Sequence, residues 1–324
     1  MNAVARTPDY SIRYNKKKLD ADLSKKIKSV AFHFYLHGQA NDIDIEIEDG
    51  ELEFAKDLKP EKGDVLELDI GYSGEELYKC GEFEIDEVSY DLSERHVTLR
   101  GTSTAIKKSF YETQYKEWSG TLESIVKKIA SNNGLEFDGK VEKLNVGRKS
   151  QSNSDLEFLN ELADMFGYML KIERNTLFFK PWELLRTADE EYEIEAEKLL
   201  GGSYLHDSGR TYQFCEATYS RKGATYRKKV EDSYERNGLI LKIEARSESE
   251  AQTEAEAKAA LTKANLEAVS GTFVFEGKQD LEAGSIIKLK GAGHLDGLYC
   301  IKSGSHEISD DSSAFLTTVE VFEV

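Results

Sequence analysis

Residues 42–48, Asp-Ile-Asp-Ile-Glu-Ile-Glu, alternate polar and apolar without a break. A period of two puts three isoleucines on one face of a strand and Asp42, Asp44, Glu46 and Glu48 on the other. Asp49-Gly50 then supplies turn chemistry. Shorter apolar runs at 30–36, 65–70, 81–90 and 96–100 are each bounded by Gly, Ser or Asp. Many short strands at a spacing of roughly ten residues predict a β-barrel or sandwich over residues 1–108.

Near Tyr111 the period changes. Leu122, Ile125, Val126, Ile129 and Ala130 recur at helical spacing, and Asn133-Gly134 is a stop signal. Ser154-Asp155-Leu156-Glu157 is a capping box opening a second helix through Leu159, Leu162, Ala163 and Phe166 to Gly167. Residues 168–172 and 176–179 flank Glu173-Arg174-Asn175 as a hairpin, so 109–186 reads as a small α+β domain ending near Pro181-Trp182. The last part, 187–324, returns to strands: 212–219, then 224–230 and 239–245 around an Asn237-Gly238 turn. A second capping box, Ser247-Glu248-Ser249-Glu250, opens an Ala- and Glu-rich helix to about residue 269, stopped by Ser270-Gly271. That helix would be about 34 Å long at ~1.5 Å per residue. Strands resume at 272–275, 285–290, 298–302 and 315–321, and only three prolines interrupt the chain.

Two distant stretches echo each other. Leu58-x4-Gly63-Asp64-Val65-Leu66-Glu67-Leu68 is followed by Gly81-Glu82-Phe83-Glu84-Ile85 and Val97-Thr98-Leu99. Leu281-x2-Gly284-Ser285-Ile286-Ile287-Lys288-Leu289 is followed by Gly297-Leu298-Tyr299-Cys300-Ile301 and Val319-Glu320-Val321. In both, a glycine turn feeds an apolar strand, a Gly-x-aromatic-x-Ile strand follows, and a third strand closes the unit. One barrel used twice, once at each end of the chain, explains this pattern.

Composition narrows the function by exclusion. With 43 Lys+Arg against 61 Asp+Glu the net charge is −18, the opposite of a nucleic-acid footprint. No apolar stretch approaches the roughly 20 residues of a membrane span, and the N-terminal sequence lacks the apolar core of a secretion signal. Cys80, Cys215 and Cys300 are too far apart for a metal pair and form no disulfide framework. The expectation is a soluble protein of a reducing compartment. The run from Asp42 starts like a calcium loop, but Ile47 stands where the sharp turn needs Gly. Gly291-Ala292-Gly293-His294-Leu295-Asp296-Gly297 has the wrong spacing for a phosphate loop and no helix after it. His33 and His37 fall on strand and loop rather than one helix face, and His96, His206, His294 and His306 are scattered. Lys16-Lys17-Lys18 and Lys25-Lys26 lack interleaved aromatics and read as a solvated turn. No pair among the many carboxylates is singled out for catalysis, so no enzyme activity, cofactor or metal is expected.

Three ordered stretches resemble a known family. They are Gln39-Ala40-Asn41 with the strand 42–48; Trp118-Ser119-Gly120-Thr121-Leu122 with Gln151-Ser152-Asn153-Ser154-Asp155-Leu156-Glu157-Phe158-Leu159 and Phe166-Gly167-Tyr168; and Gly271-Thr272-Phe273 with Leu281-x2-Gly284, Asp296-Gly297-Leu298-Tyr299 and His306. This order is similar to that of the baseplate hub proteins of contractile-tailed phages and phage-like particles, the late control protein D family. Departures are Gly284-Ser285 for the family's Gly-Asp and Gly297-Leu298-Tyr299 for its Gly-Arg-Tyr. The resemblance implies a β-rich α+β chain: two tail-tube-like β-barrels joined by a small α+β domain, with an added hairpin and long helix in the second. It implies a homotrimer whose six barrels match a six-fold tail tube on one side and a three-fold spike on the other. Its partners would be the tail spike protein, a tail tube or tube-initiator protein and the tape-measure protein, in a virion baseplate assembled in the bacterial cytoplasm. If the acidic faces line a channel, Asp42, Asp44, Glu46 and Glu48 are the candidate lining, repelling DNA or tape-measure protein. The alternatives are a tail-tip peptidoglycan hydrolase or glycan-binding adhesin, and a hub-like part of a contractile secretion or injection system.

Overall fold

The computed structural model describes residues 6–18, 24–51, 60–104, 108–173, 175–221, 224–233, 238–310 and 314–324. Leu58, Arg174 and Asn237, singled out above, and the first five residues lie outside these. The described chain is β-rich, with three α-helices: α1 (Leu122–Asn132), α2 (Asp155–Phe166) and α3 (Glu250–Glu267).

Thirteen of the described strands form one sheet that joins the two ends of the chain. The join is an antiparallel pairing of Ile27–Tyr35 with the upper half of Gly297–Ser309, His306 lying opposite Phe32. On one side of it run Asp42–Glu48, His96–Ser103, Tyr78–Asp91, Val65–Tyr72 and Pro8–Tyr14. On the other run Ala314–Glu323, Val269–Glu276 and Gly201–His206, while Ile286–Lys290 pairs with the lower half of Gly297–Ser309 and carries Tyr192–Glu195 in parallel. Apart from the two-residue strand Lys17–Lys18 beside Pro8–Tyr14, each end therefore contributes six strands in the same spatial order.

The echo in the sequence is an echo in the backbone. Gly63 and Gly284 have φ of +100° and +97°, a conformation that suits glycine. Their N–H groups donate to the carbonyls of Ile85 and Ile301, whose own N–H groups donate back to Asp64 and Ser285. Each long middle strand then shifts register one residue further on, between Ile85 and Glu87 and between Ile301 and Ser303. A shared bulge fixes register as strongly as a shared motif does.

The alternation at 42–48 does what its period predicts. Ile43, Ile45 and Ile47 are buried in a core drawn from both ends, with Phe32, Leu68, Ile85, Phe273, Tyr299, Ile301 and Val319. A second core belongs to the middle segment, where α1 and α2 present Ile125, Val126, Ile129, Leu159, Leu162 and Phe166 to Leu170, Leu177 and Phe179. Between them Leu36, Met169, Leu185, Leu266, Ile286, Cys300 and Phe322 form a seam.

Three local expectations are corrected. Ile240–Glu244 does not pair with Ala224–Glu231 across the Asn237-Gly238 turn; it runs parallel to Phe214–Arg221, which is the strand hairpinned to Ala224–Glu231. A parallel neighbour carries no local turn signal. Helix α3 is capped by Ser249, whose Oγ accepts from Gln252 N (3.3 Å), while Ser247 bonds Thr253 instead. At ~1.5 Å per residue its 18 residues span about 27 Å rather than 34 Å. Ser270 and Gly271 are not its stop but lie inside Val269–Glu276.

Candidate functional site

The polar face of the sheet lies opposite the isoleucines. Asp42, Asp44, Glu46 and Glu48 all stand on it, as the period requires. Their strand sits between two others, so each carboxylate meets side chains from both. Arg100 lies opposite Asp44 in the next strand, and its Nε donates to Asp44 Oδ1 at 3.0 Å. His33 Nε2 reaches the other oxygen at 3.6 Å. Glu46 pairs with His96 Nδ1 at 2.9 Å and Glu48 with Lys28 at 3.4 Å. Arg100 and Lys28 pair as ions with Asp44 and Glu48, and His96 meets Glu46, so the row is not a bare acidic stripe.

These partners set the proton affinities. The hydrogen bond from His33, then Arg100, holds the Asp44 carboxyl below its ordinary range, and the same bond raises the His33 imidazole. Asp42 shifts upward because it is half-buried and near Asp44 and Asp86, although Tyr35 donates a hydrogen bond to it. Burial beside Asp42 pushes the Tyr35 hydroxyl up to about 12. A recess of about 360 Å³ lies here, lined by His33, Tyr35, Asp42, Asp44, Asp86 and Arg100 among others. Among the described residues no three His, Cys, Asp or Glu side chains are arranged to hold a metal ion.

The other sequence candidates separate. His33 and His37 do not converge: His37 Nδ1 accepts from Leu170 N (2.8 Å) and its ring sits edge-on to Trp182, in the seam. The 291–297 segment is a self-closed loop, with Asp296 Oδ1 accepting from Ala292 N at 2.6 Å and Tyr299 donating to Leu295 O at 2.7 Å. Lys16 lies in a two-residue turn with Asn15, both at positive φ, between Pro8–Tyr14 and Lys17–Lys18. The buried thiols of Cys215 and Cys300 are pushed up to about 11 and about 12, away from reactivity. The basic side chains of the polar face escaped the sequence reading. The signal was His96-x-Thr98-x-Arg100, a period-two row that pairing places beside 42–48.

His306, read above only as a motif position, is buried where the two ends of the chain meet. Its Nε2 lies 3.0 Å from Leu281 O and its Nδ1 2.9 Å from Thr317 Oγ1. A carbonyl only accepts, so Nε2 carries the proton and Nδ1 accepts from the hydroxyl. Phe32, Phe34, Tyr78 and Phe315 surround the ring. Burial lowers its pKa to about 4.

Comparison with known proteins accords with this architecture. The chain is 28% identical over 177 residues to a probable baseplate hub protein of Escherichia phage P2, covering 53% of this chain and 45% of that protein. It is 26% identical over 178 residues to the corresponding protein of Escherichia phage 186, covering 53% and 44%. The chain is a relative of the phage baseplate hub proteins. The match spans less than half the length of either relative. No family model matches the chain. Its fold is that of tail proteins: one from Neisseria meningitidis superposes with a TM-score of 0.71 at 13% identity, covering 98% of this chain and 97% of that one. A 43 kDa prophage tail protein from Shewanella oneidensis also gives 0.71, at 12% identity, covering 96% and 97%. An Escherichia coli component of the type VI secretion system gives 0.56 at 12% identity, covering 92% and 74%.

Proposed function

We propose that this relative of the hub proteins is a structural tail hub: three copies form a ring that joins a six-fold tail tube to a three-fold spike. The observation that carries the reading is the doubled six-strand order, with Gly63 and Gly284 in the same strained turn and the same bulge beyond each. A chain with two equivalent halves presents six of them around a three-fold axis, which adapts one symmetry to the other. In this reading residues 1–108 and 187–324 each supply a tube-like barrel and 109–186 the α+β domain between them. The partners are the spike protein, a tube or tube-initiator protein and the tape-measure protein, in a virion baseplate assembled in the cytoplasm. The role needs neither catalysis nor cofactor. The ion-paired row Asp42, Asp44, Glu46 and Glu48 lines the channel.

Native mass across a range of concentrations tests the ring. A species at three times the 36.6 kDa chain mass is expected. A stable dimer contradicts the symmetry argument and reopens the hydrolase and adhesin readings, which peptidoglycan zymography and glycan binding by the chain separate. The likeness to the secretion-system component supports a second setting for the same hub, a contractile injection machine; copurification with a sheath and tube but no capsid would favour it.

A further inference from the structure

The two halves place opposite chemistry at equivalent positions. The residue inserted at each bulge is Asp86 in one half and Lys302 in the other. Arg100 and Glu320 lie opposite the residue after each bulge, and Thr102 and Phe322 stand two places further along the same strands. In the N-terminal half these positions belong to the polar recess described above. In the C-terminal half they open on a different cavity, of about 380 Å³, at the seam where the parts of the chain converge. That is the size of a small-ligand pocket, roughly 300–1,000 Å³.

The floor of this cavity is apolar. Phe322 and Leu266 are buried, and Trp182 stands edge-on to Phe322 with ring centres 6.1 Å apart. Some polar groups of its wall are already engaged. Lys263 Nζ donates to Asp164 Oδ1 at 2.8 Å, and Glu320 accepts from Ser303 Oγ at 2.9 Å. Others are not. Lys302 offers its carbonyl to Leu36 N, but its ammonium has no partner among the described residues. Neither has the carboxylate of Glu267, at the end of α3, nor the indole N–H of Trp182. A bulge re-aims the side chain it inserts, and here it brings an unused cation to the wall.

We propose that this cavity is a peptide-docking site. It takes one large apolar side chain from a segment of a partner protein, with an acidic neighbour for Lys302 and a basic neighbour for Glu267. The unused indole N–H suits a backbone carbonyl of that segment. The wall offers one unused charge of each sign, so a bare anion or a bare cation satisfies only one of them. A wholly apolar ligand would cover both without pairing either, at a desolvation cost. A chain segment carrying both charges and a peptide carbonyl matches all three groups. The N-terminal half lacks the site, because Thr102 replaces the aromatic floor and Asp86 the cation. Each chain therefore carries one such site, whatever its oligomeric state.

Saturation-transfer NMR on the full chain with capped tripeptides tests this. Acetyl-Lys-Phe-Glu-amide should bind with a dissociation constant on the order of a millimolar, with the strongest transfer to its ring. Acetyl-Lys-Ala-Glu-amide should bind about ten-fold more weakly. The parent should favour the first peptide over acetyl-Lys-Phe-Lys-amide by about five-fold, and Lys302→Glu, which alters an exposed side chain, should reverse that order. Trp182→Ala should abolish the transfer while the far-ultraviolet spectrum is unchanged. A reversed preference in Lys302→Glu supports the site even where Trp182→Ala fails to fold. No binding to the parent, or a preference that Lys302→Glu leaves unchanged, overturns the proposal. A native mass that falls as peptide is added also overturns it, and gives the cavity to a second copy of the chain.

Discussion

At the scale of single residues, His306 couples the junction of the two ends to pH. Its neutral ring is held between Leu281 O and Thr317 Oγ1, and Thr317 Oγ1 also accepts from Lys278 N at 2.8 Å. A proton on Nδ1 would leave two N–H donors and the hydroxyl competing inside a buried site. In the unfolded chain the imidazole takes its proton near pH 6.5. In the fold it does so only near pH 4. Protons therefore bind the unfolded state first, and this stability is complete above about pH 6.5 and lost as pH falls toward 4. The loss amounts to about 3 kcal/mol at the acid end. His306→Gln should be less stable than the parent at pH 7.5, yet its stability should fall less between pH 7 and 4, as urea denaturation at the two pH values will measure. Equal acid losses in both would place the acid sensitivity elsewhere. The echoed glycines give a second comparison. Alanine at either costs roughly 1–3 kcal/mol from the positive φ alone. At Gly284 the added carbon also meets Leu36 Cδ1 at 3.2 Å, whereas at Gly63 the nearest atom is a side-chain oxygen at 3.8 Å. Gly284→Ala should therefore lower the denaturation midpoint more than Gly63→Ala.

At the scale of elements, the legible parts were those whose signals are local. Helix α2 was readable from its first residue to its last: Ser154 Oγ accepts from Glu157 N (3.2 Å), Glu157 Oε2 accepts from Ser154 N (3.0 Å), and Gly167 ends it at φ +79°. Ser154→Ala should cost about 1 kcal/mol, the usual value of an N-cap. What the capping box did not disclose is its second residue. Asp155 is buried, accepting from Gln151 Nε2 (2.8 Å) and Asn133 Nδ2 (2.9 Å), while Gln151 Oε1 accepts from the Trp118 indole at 2.7 Å. This network ties α1, α2 and the Lys116–Thr121 strand together from residues far apart in sequence. Asp155→Ala removes one acceptor from each of two buried amide nitrogens, which keep only Ile129 O and Asn153 O, and should cost about 2–4 kcal/mol, at least twice the Ser154 effect, by urea denaturation monitored through tryptophan fluorescence. The strands missed in the sequence fail for related reasons. Asn145–Gln151 and Gly201–His206 carry little apolar alternation, and they are strands because a partner strand offers its backbone. The Ile240–Glu244 pairing was misassigned because a parallel neighbour leaves no turn between the two.

At the scale of the whole molecule, the two halves share a backbone plan but not a charge plan, and this bears on the proposed channel. The strand Val269–Glu276 occupies the place of Asp42–Glu48, each lying beside the third strand of its meander. Opposite Arg100 stands Asp44; opposite Glu320, in the equivalent place, stands Thr272. The four carboxylate positions thus become Ser270, Thr272, Val274 and Glu276 in the other half. The two halves share strand order and buried alternation, while the polar positions beside them differ. In the proposed ring of three chains the acidic faces would recur at every second of six parts, making the proposed lining three-fold in charge while six-fold in shape. Arg100 and Lys28 reduce that charge without cancelling it, because Asp42 and Asp86 share the recess and the chain as a whole carries −18. Repulsion across a narrow bore is strongest at low salt, where the screening length exceeds roughly 10 Å. A cryo-electron microscopy reconstruction of the ring should show the four carboxylates facing the axis in three of six positions; side chains pointing away from the axis would refute the lining. If they line it, replacing Asp42, Asp44, Glu46 and Glu48 with Asn and Gln should leave the native mass unchanged. The parent should retain little of a short anionic peptide at low salt, and the neutral variant several-fold more.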